Sequence, residues 1–202
     1  MSIFSKLKFK DQAFRLREDA ILDATTAVLA SKGFDLMTMD DVAKLIGISK
    51  PSLYKHFESK EELVGAAMIR LLDGATQQLE NMPPHFNAKE SLSALLEWAL
   101  RVRLDGGLPF LPSTSNAVRE MLMRNLSYVG RVIKLNSRLE KLVIAAQKDG
   151  SLNADLSPDV ILFSYYARSC DPAVDYLQKF SKMDADSIVE NMLKVCFQGL
   201  EK

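Results

Sequence analysis

Thr38-Met39-Asp40-Asp41-Val42-Ala43-Lys44-Leu45-Ile46-Gly47-Ile48-Ser49-Lys50-Pro51-Ser52-Leu53-Tyr54-Lys55-His56-Phe57 is the stretch whose reading decides the fold. Thr38 followed three residues later by an acid has capping-box form, with Asp41 one methylene shorter than the usual Glu. Gly47 is placed to stop that first helix, and Ser49 to cap a second, with Pro51 tolerated in its first turn. Two short helices joined by a tight turn form a helix-turn-helix over about 38–57, which leaves one face of the second helix free for a DNA major groove. Val42, Ala43, Ile46, Ile48, Leu53 and Phe57 supply a shared apolar core. Lys50, Ser52, Tyr54, Lys55 and His56 are left pointing outward, all of them hydrogen-bonding or cationic types suited to phosphates and base edges. Helix starts at Thr38 and Lys60 add free backbone amides for phosphates.

Outward from this stretch the apolar period is helical throughout, with no alternating strand pattern. A first helix runs from about Arg15 to Lys32, with Ile21, Ala24 and Val28 on one face and Gly33 placed to end it. Ser59-Lys60-Glu61-Glu62 is a second capping box and opens a fourth helix, which Asn81-Met82-Pro83-Pro84 breaks. Further helices are predicted at about Lys89–Leu104, Asn116–Leu126 and Tyr128–Lys148. Another starts at Pro158 and is interrupted at Asp171-Pro172, and the last is capped by Asp184 and runs through Gly199. The prediction is an all-α chain of nine or ten helices. Residues 1–62 form a three-helix DNA-binding domain preceded by a basic arm, and residues 63–202 an effector-binding and dimerisation domain.

The chain has 202 residues and a formal net charge of zero, from 26 Lys+Arg against 26 Asp+Glu. Neutrality excludes a uniformly basic nucleic-acid coat and an acidic disordered tail, but not a reader of DNA. Residues 1–17 carry five bases and one acid and residues 44–60 four and one, whereas 18–43 carry one and six. Positive charge is therefore concentrated in the arm and around the second helix of the motif, where phosphates would lie. No apolar run is long enough to span a membrane, and the first residues lack the apolar core of a secretory signal. Cys170 and Cys196 make neither a disulfide framework nor a metal-ligand spacing, so a reduced, cytoplasmic protein without metal or cofactor is expected.

Leu53-Tyr54-Lys55-His56-Phe57, followed by Ser59-Lys60-Glu61-Glu62-Leu63, resembles the signature of tetracycline-repressor-type (TetR family) regulators. Ile21-Leu22, Ala27, Gly33-Phe34, Thr38 and Ala43 agree with it, so the close match covers about Arg15 to Leu72. Pro51 departs from the small or polar residue the family often carries there. The resemblance implies phosphate contacts from Thr38 and Lys60 at helix ends, backbone contacts from Tyr54 and His56, and base contacts from Lys50, Ser52 and Lys55. Lys6, Lys8, Lys10, Arg15 and Arg17 would form an arm for the minor groove or phosphates. It also implies a homodimer and a small-molecule effector, hence a ligand-responsive regulator, a repressor released from a palindromic operator.

The remaining residues speak for that assembly in weaker terms. Val160 and Phe163 on one helix, and Ile188, Val189, Met192, Leu193 and Cys196 on the last, make helices apolar on two sides. One side fits the chain's own core and the other a partner helix pair in a two-fold dimer. Arg103 lies within the apolar stripe of the 89–104 helix and needs a partner, either an internal acid or an anionic effector. Trp98, Phe110, Met121, Tyr128, Tyr165 and Tyr166 are candidates, with Arg103, to line an effector pocket. An enzyme is not expected: His56 and His85 are the two histidines, and no nucleophile elbow, metal spacing or phosphate-binding glycine loop occurs. The competing reading is a helical small-molecule-binding or scaffold protein that no longer reads DNA.

Overall fold

The structure, a computed structural model, describes residues 3–108 and 116–200, with side chains in the first helix described from residue 12 onward. The described residues form ten α-helices and no strand. They are α1 (Ile3–Leu36), α2 (Met39–Leu45), α3 (Lys50–Tyr54), α4 (Lys60–Glu80), α5 (Ala88–Leu104), α6 (Asn116–Arg124), α7 (Leu126–Lys148), α8 (Pro158–Ser169), α9 (Ala173–Phe180) and α10 (Ala185–Gln198). The chain divides into two compact units, 1–68 and 69–202, with the boundary in the sequence of α4.

In the first unit α1 packs on α2 and α2 on α3. Ile21, Met37, Val42, Leu53 and Leu63 are among its fully buried side chains. α1 breaks at Gly33, whose φ of 72° is a left-handed conformation open to glycine at no steric cost. The helix also begins earlier than the sequence suggests. Residues 3–20 contain neither Gly nor Pro, so nothing stops α1 from extending back through the basic residues, and the predicted arm is a helical extension.

In the second unit α5 is central, packed against α7, α8, α9 and α10. Its residues Leu92, Leu95, Leu96, Ala99 and Leu100 recur at helical spacing, and all are buried. Leu135, Leu139 and Val143 of α7 and Leu162 of α8 complete this core. Side-chain caps fix the helix starts: Asn87 for α5 in a full capping box with Glu90, Asn125 for α7 and Asp184 for α10. No helix among the described residues is long and apolar enough to cross a membrane.

A candidate nucleic-acid interface

Thr38 caps α2 reciprocally. Its side chain accepts from the Asp41 amide, the Asp41 carboxylate accepts from the Thr38 amide, and the Thr38 hydroxyl donates to the same carboxylate at 2.8 Å. Lys32 of α1 adds a 2.7 Å ion pair to Asp41. Hydrogen bonds from Lys32 and Thr38 hold the Asp41 carboxyl down at about 2. The short acid at the third helical position therefore completes the box.

Gly47, with φ of 70°, makes the turn, and the Ile48 amide returns to the Ala43 carbonyl at 3.0 Å. Ser49 then caps α3 through its hydroxyl to the Ser52 amide, with Pro51 in the first turn where no donor is missed. α3 is regular only to Tyr54, but the amides of His56 and Phe57 both return to Leu53, so the turn carries on to Phe57. Leu53 and Phe57 face inward with Val42 and Ala43 and fix which side of α3 is free.

Four of the seven predicted contact residues share that free side: Lys50, Tyr54 and Lys55 are exposed and Ser52 is half-buried. Lys50 is held by Asp40 at 3.3 Å, a pair open to solvent on both sides. Thr38 is exposed at the start of α2, with its hydroxyl engaged by Asp41.

Two of the seven are placed otherwise than expected. The Lys60 ammonium donates to the Phe34 and Met37 carbonyls at 3.0 and 3.4 Å and lies 4.3 Å over the Phe34 ring. Carbonyls freed where α1 breaks at Gly33 attract a cation, so the side chain closes the α1–α2 turn, and only the start of α4 remains for a phosphate. His56 is turned inward, its side chain 4% exposed and stacked on Phe14 of α1 at 4.3 Å. Phe14, which stacks on it, and Glu18, which lies 3.7 Å from its Nδ1, could not be found from the sequence, because no local pattern links residues some forty positions apart.

The second unit answers the question posed by Arg103. Its guanidinium makes a two-point pair with Asp175 of α9, at 2.6 and 3.0 Å, and donates to the Cys170 carbonyl. With its side chain 13% exposed, Arg103 is internally paired, the arrangement a buried cation requires. Tyr165 is buried and donates to the Leu92 carbonyl at 3.0 Å. Tyr128 and Tyr166 are buried as well, and burial pushes both hydroxyls up. Trp98 packs over Gly74, where a Cβ would lie 3.4 Å from its ring, and Met121 is half-buried on α6. Phe110 lies outside the described residues.

The predicted dimer residues separate in the same way. Val160 and Phe163 project from α8, 54% and 63% exposed. A groove of ≈ 460 Å³ beside Phe163 is lined by Ile133, Leu135 and Tyr166. Ile188, Val189 and Met192, in contrast, are buried within the unit, because α10 packs on α5, α8 and α9 with that face. They belong to the core, not to an interface. Leu193 and Cys196 are half-buried, and burial pushes the Cys196 thiol up to about 11, which makes it inert.

Residues 21–67 match the family model described as "Bacterial regulatory proteins, tetR family". Over that segment the chain is similar to the TetR family. Its similarity to a curated relative extends well past the helix-turn-helix. It is 23% identical over 190 residues to the HTH-type transcriptional repressor KstR2 of Rhodococcus jostii, covering 91% of each chain. Among solved structures it resembles the fatty acid degradation regulator FadR from Bacillus halodurans, with a TM-score of 0.69 at 18% identity, covering 92% of this chain and 96% of that one. It also resembles AibR in complex with isovaleryl coenzyme A and operator DNA, with a TM-score of 0.64 at 20% identity, covering 90% and 98%. The likeness in fold to these regulators covers residues of both units.

Proposed function

We propose that this protein is a TetR-family, non-enzymatic, cytoplasmic transcriptional repressor that binds a palindromic operator as a homodimer and is released by a small-molecule effector. The observation that carries the reading is the free face of α3. Lys50, Ser52, Tyr54 and Lys55 stand on a helix fixed from beneath by Leu53 and Phe57, as a major-groove reader requires. Residues 1–68 are the DNA-binding unit and 69–202 the effector and dimerisation unit. The exposed apolar residues Val160 and Phe163 of α8 are the dimer contacts, and an isologous pairing through them matches the two half-sites of the operator. Phe163→Asp then shifts the solution mass from dimer to monomer; a wild-type mass that stays monomeric at every concentration removes the interface.

The effector class we propose is an acyl-coenzyme A thioester. Supporting it are the likeness to AibR, crystallised with isovaleryl coenzyme A, and the likeness to a fatty acid degradation regulator. Because Arg103 is committed to Asp175, we assign it a structural role and not that of an effector anchor. The test is an electrophoretic shift on DNA flanking the protein's own gene, or on sites enriched from random sequence. It is run without ligand and with isovaleryl-coenzyme A, stearoyl-coenzyme A or free coenzyme A. Selective, salt-sensitive binding relieved by an acyl thioester and not by free coenzyme A is the expected result. Absence of selective binding defeats the repressor reading, and selective binding indifferent to every thioester defeats only the effector class.

A further inference from the structure

Among the described residues, His56 Nδ1 is the buried side-chain nitrogen or oxygen without a hydrogen-bond partner. A buried polar atom left unpaired costs free energy, and one persisting beside a recognition helix calls for a reason. Glu18 Oε1 of α1 stands 3.7 Å away, too far for a hydrogen bond. Less than 1 Å separates that spacing from a charged N–H···O contact. Glu18 has the freedom to close it, since its side chain is one-third exposed and can change rotamer. The imidazole does not, because it is clamped on Phe14 at 4.3 Å with the planes 29° apart. That clamp also suits a charged ring, because an aromatic face attracts a cation.

We propose that His56 is a positioning residue for operator binding. On docking, its imidazole takes up a proton and donates through Nδ1 to Glu18, seating the end of α3 on α1. The inference rests on the repressor reading, since the proton is drawn in by operator phosphates against Lys55 and Tyr54, one and two residues away. Nearby anions favour the charged form of an imidazole. Other charged groups within a turn are Arg15 and Arg17 on α1, which oppose the uptake, Asp19 next to Glu18, which favours it, and Lys55 and Glu58 on the histidine's own segment. At the start of α4, Lys60 is held by the Phe34 and Met37 carbonyls and Glu62 by the Glu58 amide, while Glu61 is exposed. Glu18 is the acid within ion-pair distance. The proton passes from solvent to the ring, and no other bond changes.

The sign follows from linkage. If the complex binds more protons than its separated parts, operator affinity rises as pH falls, by up to one proton per protomer in the slope of log affinity against pH. Histidine is the side chain that ordinarily titrates between about pH 5 and 8. Since His56 and His85 are the two in the chain, the assignment is tractable. The experiment uses the full-length protein and an enriched operator at fixed salt. Calorimetry in buffers of differing ionisation enthalpy counts the protons taken up, and a shift assay gives affinity from about pH 8 to about pH 6.

We expect net uptake with several-fold tightening in the wild type and in His85→Gln, and loss of most of the uptake in both His56→Gln and Glu18→Gln. A purely packing role for His56 would change affinity without changing the proton count. Undiminished uptake in Glu18→Gln, or uptake that vanishes in His85→Gln, overturns the proposal while leaving the repressor reading intact. No selective binding at any pH overturns both.

Discussion

The two units are held together by different means. In 1–68 the work falls to polar side chains tied to backbone ends: Thr38 and Asp41 at α2, Ser49 at α3, Ser59 at α4 and Lys60 under the α1 break. In 69–202 it falls to leucines. Leu92, Leu95, Leu96, Leu100, Leu122, Leu135, Leu139 and Leu162 are all fully buried, with Arg103–Asp175 and Tyr165–Leu92 among the polar ties of the unit. Helix length explains the contrast. α2 and α3 have seven and five residues, far too few to persist by propagation, so each depends on its caps. Helices of 17 and 23 residues, as α5 and α7 are, present several turns of apolar stripe and are stabilised by packing.

The largest effects break this contrast where it is sharpest. Leu53→Ala and Leu139→Ala each remove a fully buried side chain, at about 2–5 kcal/mol. We expect Leu53→Ala to abolish operator binding while the main helical unfolding transition stays near its wild-type temperature. Leu139→Ala should lower that transition. If Leu53→Ala melts the whole chain in one lowered step, the two units are one cooperative body and the contrast fails. Next in size is Asp175→Ala, which strips the partner from the largely buried Arg103 and should cost roughly 1–3 kcal/mol in urea unfolding. Asp175→Asn, which keeps an acceptor, should cost less. Equal losses would mean that the pair acts by shape alone.

Thr38→Ala removes the α2 cap, at about 1 kcal/mol. The matching acid effect has a definite sign. Asp41 is held at about 2 when folded against an ordinary 3.8, so its contribution is full above about pH 4 and lost as pH falls from there towards 2. The stability gap between wild type and Asp41→Asn should close over that interval. A gap independent of pH would show that the carboxylate's charge is not what completes the cap.

The same contrast accounts for what the sequence disclosed. Capping and turning are local, so Thr38, Asp41, Gly47 and Ser49 can be read in order along the chain, and the start of α5 at Asn87 likewise. Burial of α5 is legible because its period is. Partners across the fold are not. Nothing near Arg103 points to Asp175, 72 residues on, and nothing near His56 points to Glu18. The engagement of Lys60 is not legible either, because a lysine at a helix start looks free until the broken end of α1 is seen beneath it. The apolar residues of α10 carry a two-sided pattern, but a pattern cannot say which neighbour takes which side. Ile188, Val189 and Met192 went to the chain's own core, leaving Val160 and Phe163 of α8 outside.

The smallest effect separates two lysines that the sequence treats alike. Lys50 is paired with Asp40 at 3.3 Å, and Lys55 has no ion pair among the described residues. A cation that already has a carboxylate beside it brings less net positive charge to a phosphate and displaces fewer counterions. Lys55→Ala should therefore lower the slope of log affinity against log salt by about 1, and Lys50→Ala by less. Asp40→Asn, which frees Lys50, should steepen the slope. If Lys50 instead reads a base edge, its loss relaxes the preference at one operator position while the slope hardly moves. Equal slopes and equal selectivity in both alanine variants would mean that Asp40 leaves Lys50 entirely on docking, and the pair would then have no part in setting how the α3 face meets DNA.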